Sequence, residues 1–385
     1  HADIGWIKLP TPLAGGRSIT VDTPFRVKVP DGRFSRLGHT GQAYHITQWY
    51  PKPAVFDQEG WHAMPYLTQG EFYADFGRYE VSITLPANYV VGATGLLQNT
   101  EENRWMDSLA TVPAPERSGR KGAAPFPPSA PTWKTIRFVQ DSVHDFAWFA
   151  DKRFVVRKGE VLLPTSGRSV TTWALSTPRN AALWENAVSY INEALLHYSR
   201  TVGDYPYAAC TAVDGTISAG GGMEYPMITI IGNMTSAESL DNVIAHEVGH
   251  NWFQGILASN EREHPWLDEG MNSYLELRYM RARYPHPESA FGIPGEARLM
   301  RHFSDPHRAR NELAMRLNTR RDQDQAASLP STRFSSTNYG TMVYMRTALV
   351  MDQLEASLGT DLMDRCLHAY FDAWSFRHPG PADLR

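Results

Sequence analysis

The chain predicts a two-domain α+β fold, with a β-sandwich over 1–175, incomplete at its start, and a mixed helix and sheet domain over 176–385. Three observations carry this. Short alternating runs dominate before Leu175, long stripes of helical periodicity dominate after it, and 385 residues exceed what one core usually supports.

The strand-like runs are 44–49, 79–85, 136–140, 153–156 and 170–175, punctuated by Gly and Pro. The stretch 112–131 is rich in Pro, Gly and Ala, carries Arg117, Arg120 and Lys121, and is too poor in large apolar residues to pack, which predicts a mobile surface excursion. Thr177 and Pro178 then mark a helix start, with Leu183, Trp184, Ala187, Val188, Ile191, Leu195 and Tyr198 as its stripe. Strands follow around Thr211 and Met227, the latter predicted to offer edge hydrogen bonds over 227–231.

The next element carries chemistry. His246 and His250 are four apart, so a helix projects both from one face a turn apart, with Glu247 beside them. The helix is supported independently by a candidate capping box, Thr235 with Glu238, and by the stripe Leu240, Val243, Ile244, Val248, Trp252 and Phe253. After eighteen intervening residues beyond His250 comes Glu269, within a run over 265–280 that reads as a buried helix opened by Pro265. Two imidazoles and a carboxylate make a zinc site with one position left open, and Glu247 is placed to take a proton from water. One zinc ion per chain is expected, held by His246, His250 and Glu269.

With these residues in place, the sequence resembles the zinc aminopeptidases of the aminopeptidase N and leukotriene hydrolase type, whose signature is HExxH, eighteen residues, then Glu. Gly221, Gly222, Met223, Glu224 and Tyr225 resemble the family's GxMEN exopeptidase motif, with Tyr225 where the family usually has asparagine. Tyr344, in the run 343–350, resembles its catalytic tyrosine at a helix start, and Tyr339 is the rival. The resemblance is strong from about Leu175 onward and weaker before it.

It implies a thermolysin-like catalytic domain and a peptide substrate with a free N-terminus. Glu247 is then the base, Tyr344 an oxyanion donor, and Glu224 with Gly221, Gly222 and Met223 the substrate site. A carboxylate fixed near the metal holds the cationic α-amine, so only the first peptide bond reaches the ion. The glycines 220–222 let backbone approach an extended substrate. The family's β domain also contributes to amine recognition, for which Gln42 and Gln48 are candidates, and its C-terminal helical lid is expected to be absent here. An endopeptidase, an epoxide hydrolase of the same fold, and a noncatalytic scaffold are the alternatives.

Composition narrows the remaining classes. A net charge of −4 offers no basic field for nucleic acid. The cluster Arg308, Arg310, Arg316, Arg320 and Arg321 is interrupted by acids and reads as a solvated face. No apolar run reaches the length of a membrane span. The start at His1, without Met or leader, leans towards an exported protein. Cys210 and Cys366 lack ligand-like spacing and read as buried small residues. Oligomeric state is not legible.

Overall fold

The computed structural model describes residues 3–34, 36–114, 124–215, 221–287, 298 and 302–384. Gly220 and the centre of the expected surface excursion, 115–123, lie outside the described residues. Among the described residues no helix is long and apolar enough to cross a membrane.

Strands β1 (Gly38–Thr40), β2 (Ala43–Ile46), β3 (Val55–Asp57), β4 (Gly60–His62), β5 (Gly77–Pro86), β6 (Val90–Ala93) and β7 (Leu96–Leu97) precede helix α1 (Thr100–Ala110). Strands β8 (Trp133–Val143) and β9 (Trp148–Asp151) follow it. One sheet runs β1-β2-β9-β6 and another β5-β8-β7. Alternation explains their facing: Ile83 and Leu85 on β5 are buried while Ser82 and Thr84 are exposed, and Ile136 and Phe138 repeat the pattern on β8. The register pairs Ile83 with Ile136. These side chains meet Val91, Ala93 and Ala150 of the first sheet, which makes the β-sandwich. Each large one contributes about 1.5–3 kcal/mol by leaving water.

The second half is built on strands β10 (Val155–Leu162), β11 (Ser169–Ser176), β12 (Ala209–Asp214), β13 (Gly222–Tyr225) and β14 (Ile228–Ile231), in the order β10-β11-β12-β14-β13. Here the structure differs from two expectations. Strand pairing crosses residue 175, because β11 runs parallel to β12 with Leu175 opposite Val213. The change of sheet therefore falls between Asp151 and Val155. Edge hydrogen bonds are offered by β13 and not by 227–231, since β14 is paired on both sides.

Helix α2 (Ala187–Thr201) covers one face of this sheet. The expected start at Thr177 is displaced because the Thr177 N–H donates to Asp214 Oδ2 (2.8 Å), tying that residue to β12, and the chain makes a 3-10 turn over Leu183–Asn186 first. The other face packs Leu175, Val213 and Ile228 against Val90, Phe149 and Met106 of the N-terminal layer. Helices α3 (Ala237–Gly249) and α4 (Glu269–Arg283) join α2 in the largest core, around Tyr198, Trp252 and Tyr274. Helix α5 (Pro306–Thr319), a π-helical segment Tyr339–Arg346, α6 (Thr347–Leu358) and α7 (Thr360–Trp374) complete the fold. Cys210 is buried as expected, whereas Cys366 is exposed.

Candidate metal and active site

Helix α3 begins one residue later than the sequence suggests. Its cap is Ser236, whose hydroxyl accepts from the Ser239 N–H (3.1 Å) while Ser239 answers to the Ser236 N–H (3.1 Å), in place of Thr235 and Glu238. At the other end His246 and Glu247 lie in the last turn and His250 is the C-cap, still right-handed helical (φ −63°, ψ −12°). That conformation keeps His250 one turn above His246. Helix α4 is docked alongside by Asn272, whose Nδ2 donates to the His246 carbonyl (2.7 Å) and whose Oδ1 accepts from the buried Tyr198 hydroxyl (2.7 Å).

Glu269 does not emerge from the middle of a helix. Pro265–Leu267 form a 3-10 turn, Asp268 breaks it (φ −95°, ψ −86°), and Glu269 is the first residue of α4. A helix N-terminus favours a carboxylate, and this one aims it back at α3.

The structure brings three donor atoms to one point. His246 Nε2 and His250 Nε2 are 3.1 Å apart, and Glu269 Oε2 lies 3.3 Å from the first and 3.2 Å from the second. The opposite ring atoms are occupied: His246 Nδ1 meets Glu276 Oε2 (2.8 Å) and His250 Nδ1 meets Asp268 Oδ1 (2.7 Å). A carboxylate only accepts, so each Nδ1 carries the proton and each Nε2 presents a lone pair in the neutral ring. Glu269 Oε2 is buried and has no hydrogen-bond partner. Three lone pairs converge, which is unfavourable without positive charge between them. Without a metal a proton answers that need: although burial works against it, Glu269 and Glu276 push the His246 imidazole up to about 10.

Zinc fits this triangle. Bonds of about 2.0–2.1 Å in a tetrahedron set ligand-to-ligand edges of about 3.3–3.4 Å, close to the observed 3.1, 3.2 and 3.3 Å. Two imidazoles and one carboxylate are a zinc donor set, and both rings already have the carboxylate partners that orient such ligands.

Around the triangle lie the other expected residues. Glu247 is buried with Oε2 unpartnered, and burial, opposed by the two histidines, pushes its carboxyl up to about 7. Glu224, Glu247 and His250 bring oxygen and nitrogen atoms within 4.8 Å of one another. Glu224 is also buried, with Oε1 unpartnered, and desolvation together with the nearby Glu71 and Glu247 raises its carboxyl well above the ordinary range. Tyr344 is inside the π-helical segment, not at a helix start; its hydroxyl donates to Glu269 Oε1 and its ring stacks on His246 (centroids 6.0 Å, 15°). Tyr339 donates instead to Glu261, and its ring meets that of Tyr344 (centroids 6.0 Å).

Gly221 adopts φ +65°, and its carbonyl accepts from the Gly232 N–H (2.7 Å). Gly222 has no room for a side chain, because a Cβ would stand 2.4 Å from the Glu247 carboxylate. Met223 is buried in the layer below β13. Gln48 reaches this region, its amide donating to the Tyr225 hydroxyl (3.4 Å), and it shares a small cavity with Glu71 and Glu224. Gln42 does not; it binds Lys152 at the exposed side of the sandwich.

Glu276, Asp268 and Asn272 escaped the sequence reading. Glu276 carried a signal, since it sits seven residues after Glu269 and so shares its helix face. Asp268 and Asn272 had none beyond adjacency.

Comparison with known proteins now bears on the site. The peptidase family M1 domain matches residues 204–385. Leucine aminopeptidase 2 of Aspergillus niger is 29% identical over 157 residues, 39% of this chain and 23% of that protein. Its counterpart in Aspergillus clavatus is 34% identical over 94 residues, 23% of this chain and 15% of that protein. The chain thus aligns with less than a quarter of the length of either relative. Among solved structures, a mutant of the M1 zinc metallopeptidase of Deinococcus radiodurans superimposes with a TM-score of 0.57 at 16% identity, covering 91% of this chain and 67% of that one. Aminopeptidase A of Legionella pneumophila in complex with aspartic acid gives 0.59 at 14% identity, covering 91% and 36%. At such identities the superpositions speak for the fold, a β-rich N-terminal layer followed by a mixed helix and sheet layer. The match to the peptidase family M1 domain thus spans residues 204–385, a little under half of the chain.

Proposed function

We propose that this chain is a zinc-dependent aminopeptidase that hydrolyses the first peptide bond of substrates with a free N-terminus, using one zinc ion per chain. The observation that carries the reading is the convergence of His246 Nε2, His250 Nε2 and Glu269 Oε2 beside two further buried carboxylates with unpartnered oxygens. Zinc held there supplies a Lewis acid that lowers the pKa of water from about 16 to near 7.

Glu247 takes the proton from the attacking water at its unpartnered Oε2 and later returns it to the leaving amine. A carboxyl held near 7 suits both halves of that task. Gly222 leaves the carboxylate its position. The Tyr344 hydroxyl, which donates to Glu269 in this structure, is the group able to turn towards the developing oxyanion. Glu224, on the edge strand β13, binds the α-ammonium, so that a single residue precedes the bond to be cut; the free edge of β13 holds the substrate backbone. The names of the Aspergillus relatives favour an N-terminal leucine as the first substrate to try.

The test is a matched pair, Leu-Gly-Gly and N-acetyl-Leu-Gly-Gly, incubated with the zinc-loaded protein. Cleavage of the free peptide alone is expected. Comparable cleavage of the acetylated peptide identifies an endopeptidase and overturns the assignment of Glu224.

A further inference from the structure

An ordinary helix would not bring Tyr339 and Tyr344 together. Residues five apart stand about 140° apart around an α-helix axis, whereas the i→i+5 pattern of the π-helical segment Tyr339–Arg346 sets them nearly one above the other. Their rings meet edge to face, with centroids 6.0 Å apart at 69°. The segment is also pressed onto the first turn of α4, since a Cβ at Gly270 would stand 2.6 Å from the Thr347 side chain and 2.7 Å from the Val343 carbonyl oxygen. Each tyrosine then reaches a buried carboxyl group. Tyr344 donates to Glu269, at the triangle, and Tyr339 to Glu261, which is 2% exposed and whose Oε2 is unpartnered.

We propose that Glu261 and Tyr339 are positioning residues for the oxyanion donor: Glu261 fixes the Tyr339 hydroxyl, and the Tyr339 ring holds that of Tyr344 where its hydroxyl can exchange Glu269 for the developing oxyanion. The inference rests on the aminopeptidase reading. Tyr344 is confined on two sides, by the stack on His246 and by the edge contact with Tyr339. Tyr339 is confined in turn by Phe334 (centroids 6.0 Å) and by its bond to Glu261. The loop carrying Glu261 is clamped at the next residue. Arg262 donates from Nη1 to the Gln69 carbonyl (2.6 Å) of the N-terminal layer, and its own carbonyl accepts from the Ser331 N–H (2.8 Å). Packing alone does not account for a carboxyl at this place. Burial, with Asp268 and Glu71 nearby, raises it well above the ordinary carboxylate range, and an apolar side chain would carry no such penalty.

The test is a double-mutant cycle on Leu-Gly-Gly with the zinc-loaded protein. Tyr339→Phe keeps the ring and removes the hydroxyl; kcat is expected to fall about tenfold, the loss of one buried hydrogen bond, with KM and zinc content unchanged. Glu261→Gln retains a carbonyl acceptor for the Tyr339 hydroxyl and should stay within about twofold of wild type. In a Tyr344→Phe background Tyr339→Phe should lose nothing further, because it acts through the hydroxyl already removed. Glu261→Leu, which removes the acceptor and keeps Tyr339, repeats the cycle if Tyr339→Phe fails to fold. An undiminished kcat in Tyr339→Phe, a change confined to KM, or the same loss in the Tyr344→Phe background overturns this inference and leaves the aminopeptidase reading standing. So does a Glu261→Gln variant as impaired as Tyr339→Phe. Full turnover in Tyr344→Phe alone removes Tyr344 from the chemistry, and this inference with it. No cleavage by the wild type overturns the aminopeptidase reading, and this inference as well.

Discussion

The two sides of this molecule bury opposite kinds of side chain. Between the two sheets of the N-terminal layer lie Ile83, Leu85, Ile136, Phe138 and Phe146, all apolar. Between α3, α4 and the edge strand β13 lie Glu224, Glu247, His250, Asp268 and Glu269, each less than a tenth exposed. The first arrangement is what stability selects, since burial of hydrocarbon is favourable in proportion to area. The second works against stability: a buried ion costs several kcal/mol unless it is fully partnered, and Glu224, Glu247, Asp268 and Glu269 each keep an oxygen without a hydrogen bond. Charges collected at such a cost are the ground on which we propose that a cation and a substrate bind here.

That contrast can be broken by substitutions that exchange its consequences. The largest effect is expected for Glu247→Gln, which should lower kcat by about 10²–10⁴, the range for losing a general base, while metal content and melting temperature stay near wild type. Undiminished hydrolysis removes Glu247 from the chemistry. On the other side, Phe138→Ala should cost about 3–5 kcal/mol in denaturant unfolding and leave kcat per folded molecule unchanged. A catalytic defect there would mean that the layers are coupled more tightly than their separate cores suggest.

Smaller effects sharpen the picture within the site. Tyr344→Phe should reduce kcat by about 10²–10³ with little change in KM, as expected for a donor used mainly at the oxyanion. A pure KM effect would reassign it to substrate binding. Asp268→Asn and Glu276→Gln, which loosen the orientation of His250 and His246, should weaken zinc binding by about 10–100-fold in competition with a chelator. Equal affinity in both variants would show that the rings are oriented by packing alone.

How far the site was legible follows from which contacts are local. His246, His250 and Glu247 could be placed because a helix converts sequence spacing directly into direction. Glu269 could be found by its offset, but not its position at the first turn of α4, which depends on the backbone at Asp268. The role of Gly222 was invisible as packing, since the atom that forbids a side chain there belongs to Glu247, on a different element. The β-sandwich was legible from alternation on β5 and β8, whereas the point at which the chain changes sheets was not. Strands β10 and β11 alternate much like their predecessors, and only the pairing of β11 with β12 assigns them to the second sheet. Edge position is likewise a property of the sheet: β13 ends the strand order with β14 beside it, whereas β14 lies between β12 and β13.

We propose that His246, His250 and Glu269 together hold one zinc ion. The most direct measurement of this is the metal content of dialysed protein, wild type beside His250→Ala, by atomic absorption. One zinc per wild-type chain and almost none in the variant is the expected result; a zinc-free wild type, or a variant that keeps its zinc, would contradict it.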